Sequence, residues 1–348
     1  MSFIIAGVLE VAGVVKRNSK IVFFLFLFFM WMLFWGNQTS PDHQSYKWMY
    51  QTISGITVSL DVEIGFQATM LLAKYMGMSS VMYFAIFGLI AYLLIARFIL
   101  EYSENPAFVL CLYFLYPFLL DAEQKRSFMG TALVLFGFRY LIKGTKRGMI
   151  QYAICCIVAA MFQISCIIFL IFLAVAVKEK NVYKIAFGAT VATASINIFL
   201  PIINKVLPAF AFQKLLRYLS KFQMKNIISI CFFLIIIVMG IWGSRHLMEY
   251  ADEKQKKFYE VCIHINVLSI SFLPLVYLAD DFTRLPRTIL VMDYIVYANY
   301  IKKKITKRKQ LLVFALALGL VGSRFLAYFL GAGMESYIIP FFVEGLNF

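Results

Sequence analysis

The sequence predicts an all-α polytopic membrane protein, on three observations. Hydrophobic residues fill 62% of the 348 positions, 36 of them Phe, and mean hydropathy is +0.81. A soluble domain cannot hide that much apolar surface behind a polar shell. The apolar stretches are continuous rather than alternating, which excludes the strands of a membrane barrel. They also recur at lengths near the roughly 20 residues a helix needs to cross hydrocarbon. The chain has room for about 10–13 transmembrane or re-entrant helices with extracytoplasmic loops between them. No internal repeat or low-complexity tract divides it, so residues 1–348 are expected to form a single integral membrane domain.

Taken in order, residues 3–15 form a short apolar segment interrupted by Glu10. Spans are predicted at 21–36, 79–98, 106–120, 127–142, 182–204, 226–244, 258–279, 285–301 and 310–332. The stretch 149–177, with Gln163 and Ser165 at its middle, is too long for one comfortable crossing. It is either one tilted helix or a hairpin of two short ones. Basic clusters at Lys16/Arg17/Lys20, Lys143/Lys146/Arg147, Lys178/Lys180/Lys184 and Lys302 to Lys309 mark cytoplasmic loops. The second and third clusters share a side only if 149–177 crosses twice, which favours the hairpin. Segments 37–78, 121–126, the turn near 163–165, 205–225 and 280–287 then face outward. The segment 205–225 resists this rule, because it carries five basic residues and no acidic one. Leu215, Leu216, Leu219 and Phe222 recur there at helical spacing, as in an amphipathic interfacial helix.

The net charge of +15 lies in short runs between apolar stretches. That pattern fits topology signals facing anionic headgroups, not a nucleic-acid surface. The six cysteines all fall in apolar segments with no metal-type or redox spacing, which suits packing. No basic n-region or small-residue cleavage site points to a removable signal peptide.

Residues 36–51, GNQTSPDHQSYKWMYQ, leave the first long span as far more than a connector. Asp42, Tyr46 and Tyr50 stand four residues apart and align along one helix face, drifting ~40° per step. A carboxylate and phenols on one stripe suit a carbohydrate; an interfacial aromatic belt would use the same residues. Glu63 and Gly65 open an amphipathic segment at 65–77. There Glu63 suits the helix dipole as a cap and Gly65 suits a turn. Arg126 stands at the outer mouth of span 127–142, where a guanidinium fork matches phosphate oxygens or anchors the interface. Arg139, ~20 Å further along, fits a snorkelling anchor. Arg284 and Arg287 flank Pro286 in a helix's first turn, and Asp280 and Asp281 just before are placed either to cap that helix or to pair with the arginines. Asp293 and Arg324, inside spans, are a candidate intramembrane pair. Glu335 is a further acidic residue near the C-terminal end.

Asp-x3-Tyr-x3-Tyr, then Glu-x-Gly-Phe, then an Arg-led helix ending Arg-Tyr, then Phe-x-x-Ser resembles the EpsG family in order and spacing over roughly residues 30–175. These are Wzy-like exopolysaccharide and capsular repeat-unit polymerases. RLPRTILVMDYIVY at 284–297 and YIIPFF at 337–342 look like that family's later Arg-led helix and Pro-aromatic ending. Two positions depart: Gln163 stands where the family usually has His, and Ser127 where it often has Gln. Glutamine can position a sugar but cannot take its proton.

The resemblance implies a glycosyltransferase-C-like architecture in a multi-pass protein of the bacterial plasma membrane. The implied activity is polymerisation of undecaprenyl-diphosphate-linked oligosaccharide repeat units at the outer face, with no cofactor and no metal. Catalytic candidates are Asp42, Glu63 and Arg126; substrate-binding candidates are Tyr46, Tyr50, Gln163, Arg284 and Arg287. Expected partners are the lipid-linked donor and acceptor, membrane lipids, and flippase and chain-length regulator proteins, but no nucleic acid. A flippase of lipid-linked oligosaccharide, or a polysaccharide ligase, is the alternative class.

Overall fold

The computed structural model describes residues 2–37, 41–57, 62–196, 198, 200, 204–205, 216, 224–302, 306–331 and 342–343. Among these residues every regular element is helical. Four helices among the described residues are long and apolar enough to cross a membrane: Ser80–Tyr102, Asn226–Met248, Glu253–Leu278 and Lys307–Ala327. Shorter apolar helices accompany them, so the all-α membrane class holds. By contacts the chain divides into two compact units. One comprises Met1–Phe136, Cys155–Cys166 and Tyr294–Phe348; the other comprises Gly137–Ile154 and Ile167–Asp293.

In the first unit, α1 (Ser2–Val15) and α2 (Lys20–Gly36) are separated by a short turn, and Ser19 caps α2 by accepting the Val22 N–H at 3.3 Å. The polar stretch after α2 folds into α3 (Pro41–Thr52), followed by α4 (Ile64–Tyr75) and α5 (Ser80–Tyr102). At 1.5 Å per residue α5 reaches ~34 Å, enough for a full crossing. Gly88 on α5 lets the Phe34 ring of α2 close in, because a Cβ there would lie 2.5 Å from it. Trp31 Nε1 ties the same two helices by donating to Ala85 O at 2.7 Å.

The predicted span 106–120 is not one helix. It splits into α6 (Pro106–Leu115) and α7 (Phe118–Glu123). Pro117 lacks an N–H and disfavours helix at the residue before it. Beyond it α8 (Lys125–Ile142) and α9 (Lys146–Ala160) follow, then a 3-10 segment, Ile164–Ala176. The break at 161–163 is where the hairpin was expected. Its arms fold back on each other within the second unit: Tyr152 OH donates to Phe169 O at 2.8 Å, and Phe138 lies 6.0 Å from Tyr152 and 5.7 Å from Phe172.

The second unit continues with α10 (Glu179–Ala194), then Met224–Met248 and Glu253–Ser269, which pack against each other. The predicted span 285–301 is also interrupted, into a single turn Arg284–Arg287 and a helix Leu290–Lys302. Apart from isolated positions, the basic stretch 205–225 lies outside the described residues, as do Glu335 and residues 337–341.

Candidate functional site

The segment after α2 is a folded cap, and its own side chains hold it. Tyr50 OH donates to Met78 O at 2.6 Å, so the end of α3 is fastened to the residues just before α5. Lys74 Nζ on α4 donates to the Gln51 and Ile53 carbonyls at 3.1 and 2.8 Å, a cation placed on the exposed carbonyls of the α3 C-terminus. Gln67, buried, accepts from Thr57 N–H at 2.8 Å and donates to Thr57 O and Val62 O at 2.8 and 2.6 Å. All its capacity goes into pinning the loop that leads to α4.

Glu63 and Arg126 meet at the centre of this cap. Arg126 Nη1 donates to Glu63 Oε2 at 2.6 Å, with 21% of the arginine side chain exposed and 8% of the glutamate's. The other carboxylate oxygen, Oε1, accepts the Ile164 N–H at 3.2 Å. Glu63 does sit at the N-cap position of α4, but its side chain makes no capping hydrogen bond. The expected capping role is therefore corrected: the carboxylate turns away to join α8 to the chain reversal at 161–164. With Arg126 the carboxylate faces a full opposite charge, whereas a cap would offer it only neutral backbone N–H groups.

Gly65 is corrected in the same way. Its φ is not positive; the described glycines with positive φ are Gly77 and Gly144. What Gly65 provides is close approach. Its N–H donates to Met161 O at 2.8 Å, and a Cβ would lie 2.7 Å from Met161 Cβ. Gly130 on α8 serves the same reversal, since a Cβ there would lie 2.6 Å from Cys166 Sγ and 3.4 Å from Gln163 Cβ. Gln163 thus stands at the turn, its carbonyl accepting the Cys166 N–H at 2.9 Å, next to the residue whose N–H reaches Glu63.

Tyr46 completes the cluster. It hydrogen-bonds Arg126, and the guanidinium carbon lies 5.8 Å from the Tyr46 ring centre and 5.9 Å from that of Phe66. Burial pushes the Tyr46 phenol above its usual value, Arg126 draws it partly back, and Asp42 adds to the rise. Burial opposes the Arg126 charge, but Tyr46 and Glu63 outweigh it and hold the guanidinium more firmly protonated than usual. Asp42, half-buried in the first turn of α3, therefore reaches the same field, one helical turn before Tyr46.

The tyrosine stripe is less open than its spacing implies. Tyr46 is buried against Phe66 and Phe84, with ring centres at 5.6 and 6.2 Å. Tyr50 is buried and stacks on Tyr83 at 5.4 Å. In the second unit Arg284 donates through Nε to Asp281 O at 2.6 Å and pairs with the Asp281 carboxylate at 3.4 Å, the local pairing its sequence allowed. Arg287 in the same unit is buried. The candidate pair Asp293–Arg324 gives way to other partners. Asp293 Oδ1 accepts from Asn266 Nδ2 at 2.7 Å, and Arg324 sits 5.6 Å over the Tyr116 ring.

Beside the cluster lie two residues, Lys125 and His43, to which the sequence assigns no role. Lys125 is fully buried, and its Nζ donates to Phe34 O at 2.7 Å in the last turn of α2, 4.5 Å from the Phe34 ring centre and 5.4 Å from that of Phe84. Burial pushes it down to about 7. His43, also buried, is pushed down to about 3 by burial and then by Lys125 and Lys47, so it is neutral at physiological pH. The only available signal was the Lys125-Arg126 doublet at a helix start, where a cation opposes the dipole and needs another reason to be there.

The fold and this cluster define a polytopic α-helical membrane protein with a fixed guanidinium, its carboxylate partner and a second acid gathered in one folded cap. The EpsG family model matches residues 20–342, and the chain belongs to the EpsG family. That membership supports a polysaccharide polymerase-like role in general. No curated protein and no solved structure matches the chain.

Proposed function

We propose that the protein is a glycosyltransferase of the outer face of the bacterial plasma membrane that joins undecaprenyl-diphosphate-linked oligosaccharide repeat units into capsular polysaccharide or exopolysaccharide. The observation that carries this is the Arg126 guanidinium, oriented by Glu63 at 2.6 Å and bonded to Tyr46 in the cap that also holds Asp42.

In the proposed reaction a sugar hydroxyl of one repeat unit attacks the anomeric carbon of another. The new C–O bond forms as the bond from that carbon to the diphosphate breaks, and the electron pair leaves with the lipid diphosphate. Arg126 neutralises the negative charge developing there, and a cation already fixed in place needs no reorganisation at that moment. Asp42 takes the hydroxyl proton. Glu63 was the other candidate base, but its two oxygens are committed to Arg126 and the Ile164 N–H. It acts as the residue that positions Arg126. Gln163, half-buried at the turn, borders the saccharide, and the buried Tyr46 and Tyr50 hold the wall behind it. Flippase and chain-length regulator proteins would deliver units and set product length.

The test supplies purified protein in vesicles with a radiolabelled undecaprenyl-diphosphate-linked repeat unit. A ladder of longer lipid-linked products is the expected result. Movement of label across the bilayer without new glycosidic bonds means a flippase, and transfer to a different acceptor means a ligase; either overturns the proposal.

A further inference from the structure

We infer that the apolar groove between α4, α5 and α8 holds the polyprenyl chain of the lipid-linked saccharide, directly beside the guanidinium that would hold its diphosphate. The assignment rests on the lipid-linked donor proposed above and deepens it by naming where the chain lies.

A cavity of about 340 Å³ runs between Leu72 on α4 and Met76 just after it, Ile86 and Ile90 on α5, and Met129 and Leu133 on α8. Its lining is almost wholly carbon and sulfur. Leu72, Met76, Ile86 and Ile90 are exposed although large and apolar. Ile86 and Ile90 lie on α5, a helix long and apolar enough to cross a membrane, so along α5 the groove opens sideways toward hydrocarbon. The flexible thioethers of Met76 and Met78, in the turn after α4, and of Met129 on α8 suit an occupant of irregular outline.

Helix geometry ties the groove to the cluster. Met129 and Leu133 follow Arg126 by three and seven residues, which puts all three within about 60° of one face of α8, with Leu133 ~10 Å along the axis. The same face therefore presents a cation first and the groove wall after it. The Phe66 ring stands between. It lies 5.9 Å from the guanidinium carbon on one side, and 5.6 and 6.2 Å from the ring centres of Phe87 and Tyr83, which line the groove, on the other. An occupant with one charged end and a long apolar tail matches that sequence of surfaces. A phospholipid acyl chain matches the groove alone.

Lipid tails are as apolar as the groove, so selection has to come from packing, and its size is modest. The experiment uses full-length protein in phosphatidylcholine nanodiscs and measures binding of undecaprenyl diphosphate, geranyl diphosphate and uncharged undecaprenol. Wild type should prefer the undecaprenyl chain over the geranyl chain by about three- to tenfold more than either Leu133→Trp or Ile90→Trp, which fill the groove from opposite walls. Geranyl diphosphate binding should stay within about twofold in both variants, which also reports that they are folded. An undiminished chain preference in whichever variant is folded overturns the assignment. So does loss of the preference on adding phosphatidylglycerol, which would mean any acyl chain fills the groove. Groove-dependent undecaprenol binding, together with diphosphate binding indifferent to Arg126→Gln, would overturn the proposed site while leaving the groove assignment standing.

Discussion

Replacing Glu63 and Arg126 singly and together should reveal a coupling of about 1.5–3 kcal/mol, in the range of charge-assisted hydrogen bonds. At 2.6 Å two unit charges attract by ~6 kcal/mol at an effective dielectric near 20. Desolvating both groups cancels much of that. The 21% exposure of the Arg126 side chain screens the pair further. Glu63→Gln is the informative partner because its amide oxygen can still accept the Ile164 N–H, so the loss reports the charge and not a collapsed turn. Unfolding of Glu63→Gln, Arg126→Gln and the double variant by SDS titration in mixed micelles gives the cycle. The two single losses should sum to more than the double variant's loss, by the coupling energy. Losses that add to within about 0.5 kcal/mol would mean the two residues do not interact, and the site built on them would be refuted.

Gly65→Ala forces a methyl group into the Met161 backbone, whose carbonyl oxygen would lie 2.8 Å from it. It should cost about 1–3 kcal/mol in the same titration; a loss below about 0.5 kcal/mol would contradict the close approach. Asp42→Asn should abolish polymer in cells while the protein still reaches the membrane in normal amount; polymer of normal length would remove Asp42 from the mechanism. Burial holds Lys125 at about 7 in the folded protein, so the unfolded chain binds more protons between there and the ordinary lysine value. This residue's contribution therefore makes the fold more stable as pH rises above 7. The melting temperature in detergent should rise more from pH 7 to pH 9 in wild type than in Lys125→Met; equal rises would contradict the burial of the amine.

The membrane class was legible because continuous apolar runs bear directly on solvent, independently of tertiary detail. The chain reversal inside 149–177 was legible for a related reason, since basic clusters on both sides permit few topologies. Pro117 is a local steric signal within an otherwise apolar run, and hydropathy passed over it. In the site, the residue types were readable and their partners were not. Asp42, Tyr46 and Arg126 stand out as polar groups where the chain has few. Nothing local says that Glu63 prefers an arginine 63 residues away over its own helix N-terminus. The same holds for Gly65, whose requirement comes from Met161, and for Lys125, whose partner is the carbonyl of Phe34. The spacing of Tyr46 and Tyr50 correctly marked one helix face, but not that Phe66, Phe84 and Tyr83 cover it.

The most direct measurement replaces the chromosomal copy with Arg126→Gln and analyses the lipid-linked saccharides of the membrane. If the guanidinium stabilises the departing diphosphate, long polymer disappears and single lipid-linked repeat units accumulate in its place. A full-length ladder from that strain, at normal protein level, would contradict the role given to Arg126 and with it the proposed site.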